Sequence, residues 1–203
     1  MTESSSILCR ASNLLCERNR RTLFSDLSFE LEQGQLLHLK GPNGSGKTTL
    51  LKILAGLFID YEGEVQWQEN HRLIYSGHLF AVQGQLTPYE NLDFMLGLQG
   101  VVASRDEVYA ALAAFGLEET RFSLCRELSE GQRKRVTLCR LKLIRQAIWL
   151  LDEPYSALDE AGTVLLSQLC EQHLESGGGL VMTSHQAIPI PRSIHTLELQ
   201  PCS

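Results

Sequence analysis

A chain of 203 residues, 43% hydrophobic and 21% charged, is long enough to bury a core and has the size of one domain, alone or with a subdomain. Its net charge of −6 argues against a surface built to track nucleic-acid phosphates. No apolar run approaches the ~20 residues that span a bilayer, and residues 1–6 carry neither the basic nor the apolar region of a secretory signal. A cytoplasmic chain, held at a membrane only through a partner, is expected.

The opening segments, 7–16 and 27–31, are apolar runs broken by polar positions, the pattern of antiparallel strands with one wet face. Residues 36–40 form a compact strand that enters Gly41-Pro42-Asn43-Gly44-Ser45-Gly46-Lys47-Thr48, and 50–57 continue at helical spacing with Gly56 near the end. Strand, glycine loop and helix together make a phosphate site. Glycines let consecutive backbone N–H groups converge where a Cβ would block the approach. Lys47 places a cation at the β- and γ-phosphates, the Thr48 hydroxyl can ligate Mg²⁺, and Thr49 continues the positive first turn.

Residues 63–67 and 73–76 read as further strands. From Thr87 the period changes: Thr87-Pro88-Tyr89-Glu90 and Ser104-Arg105-Asp106-Glu107 are capping boxes, and Gly116 stops the helical 108–115. A helical subdomain at about 79–132 is therefore expected, set into a core made of 1–78 and 133–203. In that core, 132–145 is helical with cations toward its C-terminal half, and 148–151 is a buried strand. Asp159 caps a helix to about 175, Ser176-Gly177-Gly178-Gly179 breaks it, 180–183 is a core strand and 194–199 an edge strand. The fold class is α/β, a P-loop NTPase with a mixed core sheet, an antiparallel β part and a helical subdomain. There is no internal repeat and no low-complexity linker.

Two segments add chemistry. Asp152 follows four apolar residues, so its carboxylate lies at the C-terminal edge of a buried strand, where it can hold Mg²⁺ directly or through water. Glu153, one residue on, can orient or deprotonate an attacking water. In Leu128-Ser129-Glu130-Gly131-Gln132, Ser129 and the Gly131 amide at a helix N-terminus make a second anion site, and glycine at 131 suits close approach of a ligand. The plainer reading of the same residues is a serine N-cap. Glu130 would repel a phosphate, so its carboxylate is expected to point away. The six cysteines, Cys9, Cys16, Cys125, Cys139, Cys170 and Cys202, have neither disulfide-like nor metal-like spacing and read as free thiols, several of them buried.

The glycine loop, Leu-Ser-Glu-Gly-Gln and the strand ending in Asp152-Glu153, in that order, resemble the ATP-binding-cassette (ABC) ATPases. The resemblance implies an ABC-type fold, ATP and Mg²⁺ as cofactors, and a signature motif that meets the γ-phosphate held by an opposite protomer. Ser156-Ala157-Leu158-Asp159 resembles the D-loop of that family, and His185 matches its switch histidine. By resemblance, Glu153 and His185 are catalytic; residues 41–49, Arg18, Ser129, Gly131, Gln132 and Asp159 bind nucleotide; and Thr48, Asp152 and His78 face the metal. Two positions depart from the pattern. His78 stands at the usual glutamine's place ahead of Leu86-Thr87 and Glu90-Asn91-Leu92, with Gln83 and Gln85 ranking below it on spacing. Arg18 stands where an aromatic residue usually stacks on adenine; a guanidinium could stack instead, with weaker selectivity for adenine.

A narrower resemblance, over about 7–199, is to the CcmA family, the ATP-binding subunit of the haem exporter in bacterial cytochrome c maturation. It is carried by Cys16-Glu17-Arg18-Asn19-Arg20-Arg21-Thr22-Leu23-Phe24-Ser25-Asp26-Leu27-Ser28-Phe29, by Ser76-Gly77-His78 with its tight spacing to Leu86-Thr87-Pro88-Tyr89-Glu90-Asn91-Leu92, and by the helix Gly131-Gln132-Arg133-Lys134-Arg135-Val136-Thr137-Leu138-Cys139-Arg140-Leu141. Glu130 departs from the small residue expected there. The resemblance implies a homodimer on the cytoplasmic face of the inner membrane, docked on a channel subunit, CcmB, with CcmC and CcmD as companions and haem as indirect cargo. No residue pattern in the chain itself shows haem. Other readings stand beside it: an ABC subunit for another substrate, a P-loop kinase in which Leu-Ser-Glu-Gly-Gln is coincidence, and a soluble ABC ATPase acting on nucleic acid or ribosomes. The last draws on Arg133, Lys134, Arg135, Arg140, Lys142 and Arg145, which at this net charge read better as a solvated helix face than as a nucleic-acid surface.

Overall fold

The computed structural model describes residues 7–77, 82–144 and 146–200. Residues 1–6, His78, Arg145 and Cys202 lie outside the described residues. Among the described residues the strands are, in chain order, β1 (Ile7–Arg18), β2 (Arg21–Glu32), β3 (Leu36–Lys40), β4 (Glu62–Trp67), β5 (Leu73–Ser76), β6 (Ile148–Leu151), β7 (Gly179–Thr183) and β8 (His195–Glu198). The helices are α1 (Lys47–Leu54), α2 (Pro88–Gly97), α3 (Arg105–Ala114), α4 (Glu130–Leu143) and α5 (Glu160–Glu175). The chain divides into two compact units.

The first unit comprises Met1–Gly77, Gln146–Pro154 and Cys170–Ser203. The expected mixed sheet resolves into two. One is antiparallel, in the order β2-β1-β4; the other has the order β5-β6-β7-β3-β8 and every one of its pairs is parallel. Asn19 and Arg20, both at positive φ, make the two-residue turn that joins β1 to β2. β6 and β7 are buried at every residue, as parallel strands covered on both faces are. From these strands Ile148, Leu150 and Val181 join Leu14, Leu31, Leu39, Leu50, Leu51 and Leu54 in one apolar core. The strand order matters for the site. Neighbouring strands β6, β7 and β3 release at their carboxyl ends, in turn, Asp152-Glu153, Ser184-His185 and the glycine loop, the edge where α/β sheets hold ligands.

The second unit comprises His78–Arg145 and Tyr155–Leu169. Both expected capping boxes are made: the Thr87 and Ser104 hydroxyls accept the Glu90 and Glu107 amides, while those carboxylates accept the cap amides. Asn91 ties down the segment before α2, accepting from the Gln83 amide at 2.7 Å and donating to the Gln83 carbonyl at 3.0 Å. α4 packs on α2 and α3 through buried Val136, Leu138 and Cys139, so this unit runs beyond the boundary expected at residue 132. Its buried residues run from Lys134 to Leu141, past the first turn.

That packing also corrects the solvated-face reading for two of the α4 cations, whereas Lys142 is exposed. Lys134 is 1% exposed and Arg140 7%, and burial lowers the Arg140 guanidinium to about 10, which still leaves it charged at neutral pH. The five described cysteines are buried; burial pushes the Cys9 thiol up to about 12 and Cys139 well above the usual thiol range, so neither is a reactive thiolate. No helix among the described residues is long and apolar enough to cross a membrane.

Candidate active site

The glycine loop leaves β3 at Gly41 and becomes α1 at Lys47. Gly46 is the N-cap, at φ 95°, and a Cβ there would come within 3.0 Å of Leu23 and Phe24 from the β1–β2 hairpin. α2, α3 and α4 each begin with a complete capping box, but α1 has no side-chain cap and no acidic residue in its first turn. Its leading N–H groups are thus left for an external anion. The Ser45 hydroxyl, buried inside the loop, has no hydrogen-bond partner among the described residues. The Lys47 ammonium is folded into the loop, donating to the Gly41 carbonyl at 2.7 Å and the Pro42 carbonyl at 3.1 Å. Uncapped amides, an orphaned hydroxyl and a buried cation around one loop fit a phosphate chain.

Asp152 is 2% exposed at the end of β6, and both its oxygens accept hydroxyl protons. Thr48 donates to Oδ2 at 2.8 Å and Thr183 donates to Oδ1 at 2.7 Å. Thr183 also accepts the Glu153 amide at 2.8 Å, so one hydroxyl fixes both acidic residues. The sequence reading missed Thr183. Its signal was the polar residue closing an otherwise apolar strand. Glu153 sits at φ 49°, a conformation that non-glycine residues rarely adopt and that costs on the order of 1 kcal/mol unless its surroundings impose it. Its carboxylate meets His185 twice: the His185 amide donates to Oε2 at 3.2 Å, and the ring Nε2 lies 3.6 Å from Oε1. The sequence-predicted Thr48, Asp152, Glu153 and His185 therefore stand together around one point at the carboxyl edge of the parallel sheet.

In the second unit Ser129 caps α4. Its hydroxyl accepts the Gln132 amide at 3.2 Å, and the Gln132 side chain accepts the Ser129 amide at 2.9 Å. The plain N-cap reading is thus satisfied within this chain. Beside it, a Cβ on Gly131 would come within 2.8 Å of the Ala157 carbonyl, so the near neighbour that requires glycine at 131 is the backbone of the 156–159 loop. Ala157 itself is at φ 60°. Asp159 caps α5 through the Gly162 amide at 2.9 Å and is ion-paired with Arg135. The Gly162 amide and the Arg135 guanidinium hold its carboxyl below the usual carboxylate range. Ser129, Gly131, Gln132, Arg135, Ala157 and Asp159 line one open hollow. Glu130 is exposed and is not among the residues that line it.

Other expected positions gather less. Arg18 is exposed at the end of β1, opposite Arg21. His78 falls outside the described residues. Of the two glutamines ranked below it, Gln85 accepts a hydrogen bond from Arg126 at 3.1 Å and Gln83 is exposed.

Comparison with known proteins agrees with this geometry. The ABC transporter family model matches residues 24–156. The chain is 42% identical over 202 residues to the cytochrome c biogenesis ATP-binding export protein CcmA of Methylococcus capsulatus, covering 95% of this chain and 97% of that one. It is 43% identical over 188 residues to the same-named protein of Nitrosospira multiformis, covering 88% and 91% of the two chains. Among solved structures, an ABC transporter ATP-binding protein of Pyrococcus furiosus superposes with a TM-score of 0.81 at 22% identity, over 94% of this chain and 96% of that one. A second, the ATP-binding subunit of an ABC transporter, gives a TM-score of 0.76 at 23% identity over 88% and 79%. At those identities the structures speak for the fold, while the relatives extend the match over nearly the whole sequence. The chain is an ABC-type ATPase and belongs to the CcmA family of cytochrome c biogenesis ATP-binding export proteins.

Proposed function

We propose that two copies of this chain close around two ATP molecules and that hydrolysis drives a membrane partner in the haem-export step of cytochrome c biogenesis. Each nucleotide is held by residues 41–49 and Arg18 of one copy and by Ser129, Gly131, Gln132 and Asp159 of the other. The observation that carries this reading is the unbroken hydrogen-bond chain from Thr48 through Asp152 and Thr183 to Glu153 and His185, at the mouth of an uncapped phosphate loop.

The residues divide the work. Lys47 exchanges its loop carbonyls for phosphate oxygens, a charge-assisted pairing stronger than the neutral contacts it leaves. Thr48 spends its proton on Asp152, so its lone pairs are free toward a divalent cation. Asp152, beside Thr48, holds that cation directly or through water, its oxygens keeping lone pairs beyond those the two hydroxyls occupy. His78 is the remaining candidate at the metal. Mg²⁺ bound there would neutralise charge on the β- and γ-phosphates. Glu153, oriented by the His185 amide, takes the proton of the attacking water, and the His185 ring stands beside it to meet the γ-phosphate. The chain works at the cytoplasmic face of the inner membrane, against a CcmB-like channel subunit with CcmC- and CcmD-like companions. The nucleic-acid reading loses support, because Lys134 and Arg140, two of its six cations, are buried.

Glu153→Gln tests the core of this reading. It should bind ATP, accumulate as an ATP-dependent dimer in size-exclusion chromatography and turn over at least ~100-fold more slowly. Normal turnover would remove Glu153 as the base. Purification from native membranes, followed by mass spectrometry and a haem absorption spectrum of what co-purifies, tests the partner and the cargo; recovery with a different permease and no haem would reassign both.

A further inference from the structure

We infer that His38 is a positioning residue for ATP hydrolysis: from β3 its imidazole N–H holds the loop that aims His185 at Glu153. The inference rests on the reading of Glu153 and His185 given above.

His38 is 5% exposed, between Leu37 and Leu39, which belong to the apolar core. Nothing in the apolar core calls for an imidazole at this position. Its Nε2 lies 3.2 Å from the Ser184 carbonyl. A carbonyl only accepts, so the ring carries its proton on Nε2 and donates. Burial, with Lys40 adding to it, lowers the ring's pKa against the opposing pull of the Ser184 hydrogen bond and Glu153, so the donor is a neutral imidazole at physiological pH.

The register shows what this bond does. His38 pairs with Met182 on β7, and its side chain reaches beyond the last strand residue, Thr183, to Ser184. Within the loop, Ser184 closes a tight turn, its hydroxyl donating to the Gln186 carbonyl at 2.9 Å and accepting the Gln186 amide at 3.1 Å. Those bonds shape the turn but do not fix it to the sheet. The tie from His38 does, on the residue immediately before His185. Three residues after His38, the same strand delivers Gly41. One rigid strand therefore sets both the phosphate loop and the loop that touches both oxygens of Glu153.

Steady-state ATPase assays of the full chain test this. His38→Leu, which fills the space without a donor, should lower kcat about tenfold while KM for ATP stays within about twofold. His38→Gln, whose amide can donate to the same carbonyl, should recover most of the loss. In a double-mutant cycle, His38→Leu should slow a His185→Ala chain no further, because its effect passes through His185. Unchanged kcat in His38→Leu, losses that multiply with His185→Ala, or a glutamine variant as slow as the leucine one would each overturn the inference. If the leucine variant does not fold, His38→Gln against His38→Asn, whose shorter amide falls short of Ser184, carries the same comparison. A Glu153→Gln chain that still turns over sinks the underlying reading instead, whereas an inactive Glu153→Gln with a fully active His38→Leu sinks this inference alone.

Discussion

Thr48 donates its hydroxyl proton to Asp152 across 2.8 Å, although 104 residues separate them in the chain. The contact joins the first turn of the phosphate-loop helix to the end of β6, and it exists because β6, β7 and β3 lie side by side. A second hydroxyl, from Thr183 on β7, completes the carboxylate's partners. The carboxylate is thereby aimed and hydrogen-bonded within an apolar sheet edge, where a polar group without partners would be strongly disfavoured.

Thr183→Val keeps the shape of the side chain but deprives Asp152 of a donor and the Glu153 amide of its acceptor. We expect a stability loss of about 1–3 kcal/mol, since buried polar groups are left unmatched, together with reduced turnover. Thr183→Ser should restore both. Urea denaturation beside ATPase rates checks this, and a valine variant as stable as the parent would show that the bridge contributes little.

Gly131→Ala opposes two effects. Alanine favours the helix by about 1 kcal/mol, but its Cβ would sit 2.8 Å from the Ala157 carbonyl, inside van der Waals contact with backbone. Overpacking against backbone typically costs 1–3 kcal/mol, so a net lower melting temperature is expected in a thermal scan. A rise would mean that the 156–159 loop gives way freely.

Ser129→Arg should abolish turnover while leaving ATP affinity of the separate chain intact, because Ser129 caps α4 and, in the proposed dimer, faces the nucleotide of the second copy. Isothermal titration with ATP distinguishes the outcomes. Lost affinity would place Ser129 at this chain's own nucleotide instead.

Acid stability has a specific contributor. His173 stacks on Trp149 at 4.0 Å and donates from Nε2 to the Gly179 carbonyl, and burial lowers it to about 4 from an ordinary 6.5. Above pH 6.5 the ring is neutral whether the chain is folded or not, and it adds no pH dependence. Between 6.5 and 4 the unfolded chain binds the proton and the folded one does not, so stability falls with pH, by roughly 3 kcal/mol across the window. Denaturation midpoints at pH 7 and pH 5 should converge in His173→Gln relative to the parent. Equal slopes would remove His173 as the cause.

Most of the architecture was legible beforehand. The capping boxes at Thr87 and Ser104, the strand feeding Gly41 and the buried strand ending in Asp152 are local patterns, and each appears where its residues predict. What failed was environment. Lys134 and Arg140 read as solvated because charge usually is, yet both are buried on a helix that packs on α2 and α3. Thr183 and His38 read as ordinary strand residues, since their partners lie in other strands and loops.

The sequence by itself determined the chemistry: which residues can cradle a phosphate, hold a cation or move a proton, and in what order they come. Those are properties of residue type, local spacing and short-range hydrogen bonding. Only the tertiary structure decided who meets whom, because parallel strand order is set by long-range packing that no local pattern encodes. That order gives Asp152 its two hydroxyls and Glu153 its histidine. It also gives Ser184 a buried imidazole from the strand that carries the phosphate loop.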